Sequence, residues 1–222
     1  MQVEQIWRYP VKSMAGERLE HARIGALGIE GDRVVHVEDA QGHVITARSH
    51  YRLLGHRATL NGSGEPVVDG RLWSDPNVRM DVEDIVGPGA MLVRDDSSDR
   101  FDVLPLLVAT DGAVAAFGHD GRRLRPNLVI GGVEGLAERS WPGQCLHIGE
   151  VIIGIQDLRG RCIMTTFDPD SLKQDRQVLT DIVRRFGGTL ALNCFVIRGG
   201  EVRVGDTAEL ARQRPREDAH VS

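Results

Sequence analysis

Gln144-Cys145-Leu146-His147-Ile148-Gly149-Glu150-Val151-Ile152-Ile153-Gly154-Ile155-Gln156-Asp157-Leu158-Arg159-Gly160-Arg161-Cys162-Ile163-Met164-Thr165-Thr166-Phe167-Asp168-Pro169 sets the fold class. Two apolar runs, 144–148 and 151–157, are parted by Gly149-Glu150 and read as paired strands. A third run, 162–167, is β-branched and aromatic, stops at Asp168-Pro169-Asp170, and is read as another strand. Further on, Val178, Leu179, Ile182, Val183 and Phe186 recur at helical spacing, which predicts a helix over 175–186 closed by Gly187-Gly188. Runs 192–197 and 201–204 then form a hairpin, 207–210 is a last strand, and 212–222 is expected to be a flexible tail.

Upstream, the same punctuation repeats. Runs 3–9 and 19–24 open the chain, and 33–38 pairs with 43–46 across 39–42 as a hairpin. Short runs follow at 57–60, 67–72 and 90–94, divided by the polar stretches 61–64 and 74–77. Residues 110–117 read as a short helix capped by Thr110. The expected class is mostly β with a few helices (α+β), barrel-like in architecture.

A chain of 222 residues buries about two-thirds to three-quarters of its unfolded surface and needs no covalent staples. Its 26 Gly and 9 Pro fall mostly where apolar runs stop. Net charge is −5 with the two signs interleaved, and no basic stripe marks a nucleic-acid face. No leading apolar segment and no apolar stretch near 18 residues is present, so no membrane insertion is expected. Three unevenly spaced cysteines fit a reducing compartment, and a cytoplasmic setting is expected.

Cys162 stands where a Gly-containing loop meets an apolar run, beside Arg161. A cationic neighbour favours the thiolate, the form that attacks or ligates soft metals. From the residues alone, a buried structural thiol remains the alternative. Cys145 and Cys194, inside apolar strand patterns, read as structural. Cys-x-x-Cys and His-x-x-x-His pairs, Gly-x-Gly-x-x-Gly, a phosphate loop and a Gly-x-Ser-x-Gly elbow are all absent. A second constellation is cationic: Lys12, Arg33, Arg48 and Arg125 each lie where a strand meets a loop, with Ser13, Thr46 and Asn127 beside them. They either converge on an anion or are separate surface charges; spacing leaves both open.

Taken in order, these residues resemble a known family. Tyr9-Pro10-Val11-Lys12-Ser13-Met14-Ala15-Gly16, Gly28-Ile29-Glu30-Gly31-Asp32-Arg33 and Thr46-Ala47-Arg48 are similar to the β-barrel segment that precedes MOSC (molybdenum cofactor sulfurase C-terminal) domains. Leu124-Arg125-Pro126-Asn127, Arg161-Cys162 with Thr165-Thr166-Phe167-Asp168-Pro169, and Val204-Gly205-Asp206 are similar to the MOSC domain itself. The resemblance implies an N-terminal β-barrel-like segment over 1–100 packed intimately on a MOSC domain over 101–211. It also implies a bound molybdenum cofactor (molybdopterin) with Cys162 as catalytic residue and metal ligand. Lys12, Ser13, Arg33, Thr46, Arg48, Arg125, Asn127 and Arg161 would bind the pterin and its phosphate, and Asp102 would support them. The implied activity is a molybdenum-dependent oxidoreductase that cleaves N–O bonds of small N-hydroxylated substrates. Four-cysteine iron–sulfur spacing is missing, so electrons would come from a separate ferredoxin- or cytochrome-like protein. A sulfur carrier or cofactor-delivery protein using Cys162, and a cofactor-free MOSC-like binding module, are the alternative readings. The Ser-x-x-Ser-Leu stretch usual in the family is replaced here by Thr110-Asp111-Gly112-Ala113-Val114.

Overall fold

The computed structural model describes residues 1–212. Strands β1 (Gln2–Arg8), β2 (Glu17–Leu19), β3 (His21–Gly25) and β4 (Gly28–Ile29) open the chain. Next come β5 (Val35–Glu38), β6 (Val44–Ile45), β7 (Ala58–Leu60), β8 (Pro66–Val68), β9 (Arg71–Leu72), helix α1 (Pro76–Val86) and β10 (Met91–Arg94). The second half holds β11 (Leu106–Thr110), α2 (Asp111–Phe117), β12 (Leu128–Gly131), β13 (Gln144–Ile148) and β14 (Val151–Gly160). It ends with α3 (Gln177–Phe186), β15 (Thr189–Arg198), β16 (Gly200–Arg203) and β17 (Ala208–Arg212).

Eight strands form one mixed sheet in the order β17-β13-β14-β15-β11-β12-β1-β2. Val3 and Ile6 of β1 are both fully buried although three residues apart. A bulge between Val3 and Gln5, in the ladder with β12, absorbs the odd residue. The pair β11–β12 is parallel, which demands a crossover, and α2 supplies it. Thr110 caps that helix as predicted: its hydroxyl accepts the Ala113 amide at 3.1 Å, and Gly118 closes the other end with φ 73°.

The expected class, mostly β with a few helices, is what the structure shows; the main sheet is large and mixed and does not close into a barrel. An isolated bridge, Gln2↔Thr207, joins β1 to the residue ahead of β17 without a ladder. Three small sheets flank it, ordered β10-β5-β6, β16-β3-β4 and β7-β8-β9. The expected hairpin of 192–197 with 201–204 does not form, since β16 pairs with β3 and not with β15. Gly199 permits the departure, because a Cβ there would strike the Ile24 carbonyl oxygen. Residues 67–72, read as one run, fold back at Asp69-Gly70 (φ 48° and 83°), where two left-handed residues make a tight hairpin.

The third run of the opening stretch is also corrected: 163–166 is a 3-10 turn. Its threonines spend their hydroxyls on the turn, Thr165 donating to the Cys162 carbonyl at 2.8 Å and Thr166 to that of Ile163 at 2.6 Å. Helix α1 is a departure: it starts inside the polar divider 74–77 and runs on through 78–86, to which the sequence reading assigns no element; Asp75 caps it and Pro76 starts it. Of the expected tail 212–222, Arg212 ends β17 and the rest lies outside the described residues.

Three apolar cores result. The main core joins Val3, Ile6, Ile24 and Ile29 to Leu106, Leu128, Leu146 and Ile153. A second gathers Val11, Met14, Val35 and Leu53 with Val78 and Val82 of α1. The third packs Val178, Ile182 and Phe186 of α3 on Phe117, Leu124 and Leu190. The N-terminal strands therefore help to build the main sheet as well as the second core. No helix among the described residues is long and apolar enough to cross a membrane.

Candidate functional site

Where the three cores meet, a cleft of about 850 Å³ opens to solvent. Leu106 of the main core and Leu124 of the third line it, and Lys12-Ser13 enters from between Val11 and Met14 of the second. All ten sequence-predicted site residues line this one cleft: Lys12, Ser13, Arg33, Thr46, Arg48, Asp102, Arg125, Asn127, Arg161 and Cys162. Arg123, Arg159, Met164 and Asn193 join them. Arg123, Arg125 and Met164 also line a second cavity, of about 1220 Å³, with Trp7, Tyr9 and Phe167.

The cleft is strongly cationic. Lys12, Arg33, Arg48, Arg123, Arg125, Arg159 and Arg161 face a single lining carboxylate, Asp102. That carboxylate is shared three ways, by Lys12 at 2.9 Å, by Arg48, and by Arg159 at 3.6 Å. Burial tends to raise the Asp102 pKa, but the hydrogen bond and charge of Lys12, with the charge of Arg48, outweigh it and hold the acid at about 2. Burial opposes charge on Arg48 too, yet Asp102 and the adjoining Cys162 sulfur raise its pKa above the ordinary value.

Deeper in, compensation runs short. Burial pulls Arg125 down to about 10, and Arg161 also to about 10 with repulsion from Arg159 adding to it. Arg159 is lowered by burial, and Arg33 and Arg48 push it further down against the pull of Asp102. The Nε atoms of Arg123 and Arg161 are buried and find no hydrogen-bond partner. An anion delivered here would meet guanidinium groups already stripped of much of their water.

Local geometry holds these side chains in place. Ser13, Arg33 and Arg125 adopt left-handed backbone, at φ 70°, 56° and 54°. The buried Tyr9 ring separates Arg33 from Arg125, whose guanidinium carbons lie 5.2 Å and 4.3 Å from its centroid. Arg125 donates to the Met14 carbonyl at 2.7 Å and Arg161 to that of Leu124 at 2.8 Å. Fully buried Asp32 accepts the Tyr9 amide at 2.7 Å and pairs with Arg33. The Ser13 hydroxyl accepts the Ala47 amide at 2.9 Å, and the Thr46 hydroxyl accepts the Arg48 amide at 3.4 Å.

Asn127, expected to face a ligand, spends its amide on the fold. Its Oδ1 accepts from Leu107 at 3.1 Å and its Nδ2 donates to the Trp7 carbonyl at 3.3 Å. Cys162 opens the 3-10 turn and is partly exposed, whereas Cys145 and Cys194 are buried and burial raises both thiols. Among the described residues no group of three His, Cys, Asp or Glu could hold a metal. A metal here would rest on one protein thiolate and bring its remaining ligands with it.

Two cations escaped the sequence reading. Arg159 stands near the end of β14, beside the irregularity between Leu158 and Gly160, and Arg161 follows the strand; both side chains line the cleft. Arg123 lies in the 3-10 turn 121–124, where it ties Thr165 (3.2 Å) and Asp168 (3.0 Å) to the cleft wall.

Chemically, the fold and cleft define a β-rich protein able to hold an anionic group against a free thiol. Residues 1–85 match the MOSC N-terminal beta barrel domain and residues 113–209 the MOSC domain. The chain belongs to the MOSC family. It is 25% identical to mitochondrial amidoxime-reducing component 1 of Homo sapiens, over 95% of this chain and 83% of that protein. Mitochondrial amidoxime reducing component 2 of Macaca fascicularis is 24% identical, over 83% of this chain and 72% of that one. Among solved structures, the YUAD protein from Bacillus subtilis has the same fold, with a TM-score of 0.54, 13% identity and 96% of each chain covered.

Proposed function

We propose that the cleft holds a molybdenum cofactor with the Cys162 thiolate as protein ligand, and that the protein reduces small N-hydroxylated compounds with electrons from a separate protein. One observation carries this reading: a single accessible thiol sits in a cleft of seven cations and one acid. The orphaned Nε atoms of Arg123 and Arg161 fit a phosphate-bearing group, and the lone thiol fits a metal that arrives largely ligated. The names of the relatives point to amidoxime reduction.

Arg125, Arg159, Arg161 and Lys12 would hold the phosphate, with the Ser13 and Thr46 hydroxyls on the pterin edge. Asn127 sets the strand geometry beneath them, and Arg48, beside the sulfur, fixes where Cys162 points. When bound, the cofactor supplies the two-electron chemistry. In the overall change the N–O bond of the N-hydroxylated compound breaks, two electrons and two protons are taken up, and the N–H compound and water are released. Asp102, at about 2, is charged at neutral pH and has no proton to give.

The test is molybdenum content by elemental mass spectrometry, for wild type and Cys162→Ser expressed with cofactor supply. Near one metal per chain in the wild type and a tenfold or greater loss in the variant are expected, with amidine formed from an amidoxime by the wild type alone. Metal absent from both proteins sinks the reading. Sulfide released by a reductant from metal-free wild type, and not from the variant, favours a sulfur carrier instead.

A further inference from the structure

The 3-10 turn 163–166 has two sides. Cys162 and Met164 line the cleft, whereas Ile163 and Thr166 line a shallow depression on the outer surface. Across that depression lies α3, which supplies Leu179 and Val183, one helical turn apart. Ile163 is 36% exposed and Val183 is 58% exposed, so the patch shows more apolar surface than a neighbouring helix face needs to. Beside this apolar stripe run Arg176, Thr180 and Arg184, at i, i+4 and i+8. Among the described residues, neither arginine has a carboxylate within ion-pair reach. The nearby acids are engaged elsewhere: Asp175 caps the Gln177 amide at 3.0 Å, and Asp181 accepts from the Gln177 side chain at 2.9 Å.

We propose that this patch is the docking surface for an acidic, one-electron carrier protein, an inference that rests on the cofactor reading of the cleft. Charge selects the partner, since two unpaired arginines in a row beside an apolar strip complement an acidic edge next to an apolar patch. Position selects the role, because Ile163 is bonded directly to Cys162 and a carrier seated on it is one residue from the thiolate. Two encounters deliver the two electrons that the N–O cleavage consumes, each oxidising one reduced carrier.

The experiment titrates the full-length chain with two probes, an acidic plant-type [2Fe–2S] ferredoxin and an acidic haem protein, by calorimetry at low and raised salt. Anionic phospholipid vesicles are titrated in parallel, and molybdenum is measured on the same preparations. Arg176→Glu combined with Arg184→Glu, and separately Val183→Asp, change only exposed positions. Arg18→Glu, on β2 and lining neither cleft nor patch, is the control for charge alone. Binding of at least one carrier that weakens with salt, tenfold or more in both patch variants and not in the control, is the expected result. The proposal is overturned if the patch variants bind carriers as wild type does, if neither carrier binds, or if the variants lose only vesicle binding. Molybdenum-loaded wild type with patch-insensitive carrier binding sinks the docking inference alone; wild type without molybdenum sinks the cofactor reading.

Discussion

Replacing Asp102 by Asn removes the lining carboxylate at nearly constant size and leaves Lys12, Arg48 and Arg159 facing one another. The acid sits at about 2 in the fold against an ordinary 3.8, so its charged form is favoured by about 2 kcal/mol at 1.36 kcal/mol per pKa unit. Because the carboxyl is 26% exposed, water screens part of this, and ~1–2 kcal/mol is the expected loss in Asp102→Asn at neutral pH. For a chain of this size that is a fall in Tm of roughly 2–8 °C. A folded value below the unfolded one means that the contribution is present above about pH 4 and disappears as the pH falls toward 2. Thermal unfolding of both proteins from neutral pH down to about pH 3 reads this directly, because the other carboxylates cancel in the difference. The gap should narrow steadily with acid. Inorganic phosphate should raise the Tm of the variant at lower concentrations than it raises that of wild type, since an anion then has no resident competitor. Equal stabilities at neutral pH, or a gap that is the same at both ends of the range, would refute the view that cations hold this acid.

Three further outcomes are expected. Thr110→Ala removes the α2 cap and one partner of nearly buried Glu138, costing ~1–2 kcal/mol by urea unfolding. Gly16→Ala drives a methyl into the Arg8 carbonyl oxygen and the Tyr9 ring, 2.6 Å from the nearest ring carbon; stability should fall by ~1–3 kcal/mol, and molybdenum retention should fall if the Tyr9 ring shifts against Arg125. Leu146→Ala, at a fully buried position of the main core, should cost ~2–5 kcal/mol while leaving the metal content of the surviving folded protein unchanged.

Much of the cleft was legible because its residues sit at strand–loop junctions in a recognisable order. Cys162 with its neighbouring Arg161, and the Lys12, Arg33, Arg48 and Arg125 junctions, needed no knowledge of pairing. Arg159 escaped because β14 is irregular between Leu158 and Gly160, so no simple alternation links it to Arg161. Asn127 lines the cleft and also ties strands together, a second task that nothing local in the sequence reveals. The β16–β3 pairing was hidden for a similar reason, since a strand's own residues do not name its neighbour. Helix α1 was overlooked although Asp75-Pro76 marks its start; only Val78 and Val82 are buried in it, a thin stripe among charged residues. The 163–166 turn defeated β-propensity, because Thr165 and Thr166 bond backward to their own turn.

The left-handed backbones of Ser13, Arg33 and Arg125 carry a lesson for anyone hardening this protein against heat. Each stores roughly 1–3 kcal/mol of backbone strain, and glycine would relieve it only by giving up the Ser13–Ala47, Arg33–Asp32 and Arg125–Met14 contacts. Strain and contacts are balanced against each other at these positions, and libraries should hold them fixed while varying the core.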